Sequence, residues 1–307
     1  MGIQRHGWLY LVGAASFAAG SVMVLPISTA ALAQNAPEIA QAQNAALAET
    51  ALNRGLQMIQ QGAIGPATEA FQEAIELDPN SAAAHYNLGL VQRQTGQLQE
   101  AATSFWNALE ADPQFAMAYS NLGAALWEGG NLEQAQDYLE RAIELQPDLG
   151  NAYYNLGLVQ LDQQNYDAAI ASLQTAESYT PNAPEPSFHQ GRIHLRQENF
   201  DGAIAAFNRA IAIFPQYVEA HYNLGVAQYG QGNYEASLDS FRKATEFNPG
   251  YANAYYSAGL SFIKLGNYTE AQGVLEHAKS LYITQNNPQW ATNTQAQLDR
   301  VAELSGQ

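Results

Sequence analysis

The sequence predicts an all-α solenoid of seven 34-residue helix-turn-helix repeats with a C-terminal capping helix. Two columns of residues carry that reading. Pro79, Pro113, Pro147, Pro181, Pro215 and Pro249 are 34 residues apart at every step, and Gly55, Gly89, Gly123, Gly157, Gly191, Gly225 and Gly259 keep the same interval without an insertion. A third column, large and apolar, runs in fixed phase with them through Phe71, Phe105, Leu139, Leu173, Phe207, Phe241 and Leu275. A period of this length marks stacked two-helix units, none of which can bury its apolar face alone.

Residues 1–33 do not share the period. Arg5 and His6 precede an apolar run from Trp8 to Leu25, Pro26 breaks it, and Ala31-Leu32-Ala33 follows. A basic start, an apolar middle and a small-x-small end read as a secretory signal peptide. The run is long for a signal and barely long enough to span a bilayer, so an uncleaved N-terminal anchor is the alternative. The chain is read as exported, to the periplasm or a thylakoid lumen. Residues 34–47, QNAPEIAQAQNAAL, read as an Ala/Gln-rich linker or frayed helix.

The repeats follow at 48–81, 82–115, 116–149, 150–183, 184–217, 218–251 and 252–285. Counted from the first residue of each repeat, the glycine stands at position 8, a small residue at 20, the large residue at 24, alanine at 27 and proline at 32. Small residues at 8 and 20 let the two helices of a repeat cross closely, and the large residue at 24 is expected to fill the gap between neighbouring repeats. The first helix should stop at Gly62, Gly96, Gly130, Gly232 and Gly266, where Gln164 and Glu198 stand instead in repeats four and five. Proline lacks the donor needed to continue the second helix. After the last repeat, Asn286-Asn287-Pro288 opens a final amphipathic segment, 286–307, with Trp290, Leu298, Val301 and Leu304.

Composition narrows the function. The chain has 12 Lys+Arg against 29 Asp+Glu, a net charge of −17, and no Cys. Such a charge repels phosphate backbones and anionic headgroups, so neither nucleic acid nor a lipid surface is an expected partner. Without Cys there are no disulfides, thiolate metal sites or Cys nucleophiles. His189 and His194 are five residues apart and do not share a helix face, and His85 and His221 both occupy position 4, a packing site, so a structural role outweighs metal ligation. No phosphate-binding glycine loop, nucleophile elbow or HExxH motif is present. The expectation is a protein with no catalytic activity, no cofactor and no metal.

With these columns the chain resembles the tetratricopeptide repeat (TPR) family over residues 48–285. The resemblance implies a right-handed superhelix whose first helices line a concave groove through positions 2, 5, 6, 9, 12 and 13. Position 6 reads Asn53, Asn87, Asn121, Asn155, His189, Asn223 and Ser257; position 5 includes Tyr86, Tyr154, Phe188, Tyr222 and Tyr256. An Asn offers a donor and an acceptor to an extended peptide backbone. The ladder is similar to the one in the repeats of the O-linked N-acetylglucosamine transferase, while Asn at this position is also common in TPR repeats generally. The groove positions hold five acids against four bases and are nearly neutral in an acidic protein. Partners are therefore read as other proteins, through extended or helical peptide segments. His189, Arg192 and Arg196 form one basic stripe of a helix, read either as an anchor for a ligand carboxylate or as a cluster paired with Asp162 or Glu219. The carboxylate clamp of chaperone-binding TPR proteins is disfavoured, because no base stands at position 2.

Overall fold

A computed structural model describes residues 36–306, so the leader at 1–33 lies outside the described residues. Within them the protein is all α: fifteen helices and no strand. The first helices of the repeats are α1 (Ala36–Gln60), α3 (Ala82–Gln94), α5 (Ala116–Glu128), α7 (Gly150–Asp162), α9 (Glu185–Arg196), α11 (Val218–Gly230) and α13 (Ala252–Lys264). The second helices are α2 (Ile64–Leu77), α4 (Leu98–Ala111), α6 (Leu132–Leu145), α8 (Tyr166–Tyr179), α10 (Phe200–Ile213), α12 (Tyr234–Phe247) and α14 (Tyr268–Thr284), and α15 (Pro288–Ser305) follows. The chain divides into two compact parts, one ending at Val159 and the other beginning at Gln160. Among the described residues no helix is long and apolar enough to cross a membrane.

Each repeat turns by the same device. Gly62, Gly96, Gly130, Gly232 and Gly266 have φ between 73° and 85°, and Gln164 and Glu198 adopt the same left-handed conformation at 63° and 55°. The residue after each closes the turn: the N–H of Gln97 donates to the carbonyl of Gln92 at 2.8 Å, and that of Asn233 to Gln228 at 2.9 Å. This is the six-to-one bond of a Schellman cap. Three of the second helices, α6, α10 and α12, are then capped by Asn131, Asn199 and Asn233, whose side-chain oxygens accept from the backbone N–H three residues on. The second helices of the first six repeats end just before Pro79 and its counterparts, which have no N–H to give.

Packing explains the paired columns of small and large residues. A Cβ added to Gly89 would lie 2.7 Å from Cε1 of Phe105, and one on Gly225 would lie 2.6 Å from Cε1 of Phe241. The large residue therefore sits first on the glycine of its own repeat. It also reaches the next repeat, where Phe105 packs with Ala118 and Leu122, so the expected filling between repeats is half of its role. The segment read as a linker or frayed helix is the first half of α1, with Ala40–Leu47 exposed. Pro37 is compatible with that helix because it falls in the first turn, where no intrahelical donor is required.

The C-terminal segment forms the expected additional helix. α15 buries Ala291, Thr294 and Val301; Ala291 packs with Ala278 and Tyr282, and Val301 with Ala271 and Leu275.

Candidate functional site

In the part ending at Val159, the expected ladder residues have different fates. Asn53 is exposed, Asn155 and Tyr154 are half-buried, and Asn87 is fully buried. The side-chain amide of Asn87 donates to the carbonyl of Ala83 at 2.8 Å. Asn121 is engaged on both sides: its Nδ2 donates to the Tyr86 hydroxyl at 3.1 Å and to the Met117 carbonyl at 3.0 Å, while its Oδ1 accepts from Arg93 at 3.1 Å. Arg93 also reaches Glu128 at 3.1 Å. Burial pushes the Tyr86 hydroxyl well above the usual phenol range, against the opposing pull of Arg93 and Asn121.

Tyr86 is 1% exposed and is not a groove contact. Its ring lies 4.8 Å from that of Phe115, the last residue of its own repeat, and 5.8 Å from Phe105. The expectation of ligand contact fails here because the aromatic at position 5 is consumed by the seam to the next repeat.

The part beginning at Gln160 repeats this arrangement. Phe188 is 8% exposed and packs 4.8 Å from Tyr217, so it too is core and not a groove contact. Tyr222 lies 5.2 Å from Tyr251, and Tyr256, lacking an aromatic at position 34 of its repeat, meets Trp290 of α15 at 5.4 Å. Both Tyr222 and Tyr256 remain half-buried. Burial raises the Tyr222 pKa, and a hydrogen bond with Ser257 offsets part of the rise. Ser257 follows Tyr222 by the same interval that separates Asn121 from Tyr86. The hydroxyl at position 5 thus engages the polar side chain at position 6 of the following repeat.

Asn223 stands where that pairing is broken, because the residue one interval before it is Phe188, which has no hydroxyl. Asn223 donates its side-chain N–H to the carbonyl of Glu219 at 2.7 Å. Its side-chain oxygen is left to meet a ligand N–H, and one amide N–H remains beside it. Asn87, Asn121 and Asn223 each return one side-chain N–H to their own helix, but Asn87 is fully buried and the Oδ1 of Asn121 accepts from Arg93, so of these three Asn223 alone is placed to meet a ligand.

The basic stripe is also changed by its surroundings. Arg192 places Nη1 3.4 Å from Nδ1 of His189 and its guanidinium 6.0 Å from the Phe188 ring centre. Burial, and then the charge of Arg192, push the His189 pKa down to about 3. His189 is therefore neutral at pH 7, and the positive charge of the stripe rests on Arg192 and the exposed Arg196.

The sequence reading missed a polar staple that recurs in three repeats. Ser104, Ser172 and Ser240 each donate at 2.7 Å to a glutamine of the preceding helix, Gln92, Gln160 and Gln228. The signal was present: Gln at position 11 and Ser at position 23 occur together in repeats two, four and six. His85 and His221 donate Nε2–H to the carbonyls of Pro79 and Pro215 at 3.0 and 2.9 Å, in keeping with a structural role. Among the described residues no group of three His, Asp or Glu is arranged to hold a metal ion.

The family pattern described as "Tetratricopeptide repeat" matches residues 93–149, 120–186, 188–252 and 222–278, and a second, "TPR repeat", matches 55–96. No curated protein matches the chain in sequence. Among solved structures, a tetratricopeptide repeat protein from Parabacteroides merdae is 20% identical with a TM-score of 0.59, over 81% of this chain and 98% of that one. YrrB, described as a TPR protein with an unusual peptide-binding site, is 27% identical with a TM-score of 0.50, over 61% of this chain and 96% of its own. PilW, described as a type IV pilus biogenesis factor, is 18% identical with a TM-score of 0.60, over 69% of this chain and 94% of its own. The matched residues cover most of the repeat columns and show that the chain belongs to the tetratricopeptide repeat family.

Proposed function

We propose that this protein is a non-catalytic interaction scaffold in an extracytoplasmic compartment, binding peptide segments of partner proteins along the first helices of its repeats. The family and its peptide-binding member YrrB support a protein-interaction role. The observation that carries the peptide reading is Asn223, an amide fixed by its own helix with its oxygen left to accept a peptide N–H. Asn53 and Asn155 are the corresponding candidates nearer the N-terminus, flanked by the half-buried Tyr154, and Tyr222 and Tyr256 flank Asn223. Arg192 and Arg196 would attract an acidic side chain or a C-terminal carboxylate of the ligand.

The test is capture of partners from the native envelope with the wild-type protein and with a variant carrying Asn53→Ala, Asn155→Ala and Asn223→Ala. Loss of a defined set of partners supports the reading; an unchanged set overturns it. A second reading, an assembly factor for a membrane complex, is favoured by the apolar run from Trp8 to Leu25. It requires a native chain that retains residues 1–33 and stays with the membrane after a high-salt wash.

A further inference from the structure

The second helices of neighbouring repeats meet in a constant register. Trp106 of α4 packs against Tyr138 of α6 with ring centres 6.4 Å apart. Arg209 of α10 binds Glu177 of α8 at 2.9 Å. Both pairs are separated by 32 residues in sequence, Trp106 to Tyr138 and Glu177 to Arg209. Position 25 of one repeat therefore faces position 23 of the next, and position 28 faces position 26. In the last repeat positions 25 and 28 are Glu276 and Lys279, and no second helix follows α15 to meet them among the described residues.

What lies there is a cleft of about 580 Å³ between α14 and α15, lined by Glu276, Lys279 and Ile283 on one side and Gln295, Leu298 and Ala302 on the other. Ile283 is 61% exposed and stands where six earlier repeats have proline, so α14 runs past the usual stop and lengthens the cleft. Lys279 donates one N–H to Gln295 at 2.5 Å, which leaves the rest of its ammonium for another acceptor. Gln295 in turn donates to Asp299 at 2.7 Å.

We propose that this cleft docks an amphipathic helix of a partner protein in the place of the second helix of an eighth repeat. The register fixes the chemistry of the occupant. It carries Lys or Arg opposite Glu276 and, three residues later on the same face, Glu or Asp opposite Lys279. Its apolar residues lie on Ile283, Leu298 and Ala302. This site is separate from the first-helix positions of the peptide reading and stands or falls independently of it.

The test uses a synthetic helical peptide with the α8 sequence, Tyr166–Tyr179, in which Ser172→Arg and Thr175→Glu supply the two charges. Binding to the full chain is followed by calorimetry. Saturable one-to-one binding is expected, weakened about tenfold by Glu276→Lys with Lys279→Glu, the loss expected when two close ion pairs become like-charge pairs. Exchanging the two charges of the peptide should restore binding to that doubly reversed protein. Ile283→Asp should abolish binding, and Asn223→Ala should leave it unchanged. No binding, binding indifferent to the reversal, or self-association of the protein that the reversal abolishes would each overturn the proposal.

Discussion

The side-chain amide of Asn121 donates to the hydroxyl of Tyr86 at 3.1 Å, so two residues expected to grip a ligand are bonded to each other across a repeat boundary. Arg93 completes the cluster by donating to Asn121 and Glu128. Asn121→Ala leaves the Tyr86 hydroxyl and one Arg93 N–H short of a partner in a half-buried setting, which costs roughly 1–2 kcal/mol. Asn53→Ala, at an exposed position, is expected to stay within about 0.5 kcal/mol. Urea unfolding of the two variants separates a structural rung from an open one. Equal stability would show that the Asn121 cluster contributes nothing.

The glycine columns make a prediction with two signs. Gly89→Ala places a Cβ 2.7 Å from the Phe105 ring at 0% exposure, where neither neighbour can withdraw. A loss of about 1–3 kcal/mol follows from overpacking. Glu198→Gly and Gln164→Gly act the other way, because a non-glycine side chain at φ of 55° or 63° is strained. Each is expected to gain up to about 1 kcal/mol, the penalty an L-residue carries in the left-handed region. Thermal denaturation of the three variants should give one fall and two rises in Tm.

Most of the fold was legible because the period forces it. Gly89 read as the close crossing of two helices, and the structure sets the Phe105 ring against it, a contact within the repeat that the expected filling between repeats did not include; the turn survives at Gln164 and Glu198 since the Schellman bond and the packed helices on either side override a local preference. The site was legible only in part. An aromatic at position 5 packs on the last residue of its repeat where that is aromatic, at Phe115, Tyr217 and Tyr251, but Tyr222 stays half-buried even against Tyr251 while Tyr86 and Phe188 are covered, so the column does not show which of its members are buried. The charge state of His189 was equally out of reach, since spacing shows which residues share a face and not how deeply that face is covered.

His189 gives a pH-dependent prediction. Its pKa in the folded chain is about 3, below the ordinary imidazole range, with burial the first cause and Arg192 the second. The unfolded chain takes up the proton first on acidification, so the stability held by neutral His189 is present above about pH 6.5 and is lost progressively towards the folded value. His189→Asn restores the residue found at this position in repeats one to four and six, and removes the titrating group. Urea midpoints measured from pH 7.5 to 5 should fall for the wild type and stay flatter for the variant. Parallel slopes would show that His189 takes up its proton at the same pH in the folded and the unfolded chain.

Glu177 supplies an acid-side counterpart through a different arrangement. Its carboxylate accepts from Ser187 at 2.8 Å, from Gln190 at 2.9 Å and from Arg209 at 2.9 Å, and Arg209 also donates to Gln190 at 2.9 Å. Burial alone would raise the carboxyl pKa, but these three donors and the Arg209 charge outweigh it and hold the group below the usual range. A depressed carboxyl contributes stability that is present above its unfolded pKa and is lost as pH falls through the folded value, here below about pH 4.5. Ser187 and Gln190 are 0% and 1% exposed, so water cannot replace the carboxylate if it is removed. Glu177→Ala is therefore expected to cost roughly 2–3 kcal/mol at pH 7, the penalty of stranding buried donors. Glu177→Gln keeps one acceptor and should lose less, while showing a weaker decline in urea midpoint from pH 5 to 3 than the wild type. The two substitutions together distinguish hydrogen bonding from charge: if Gln proves as damaging as Ala and the acid slope is unchanged, the carboxylate's charge is not what holds α8, α9 and α10 together at this junction.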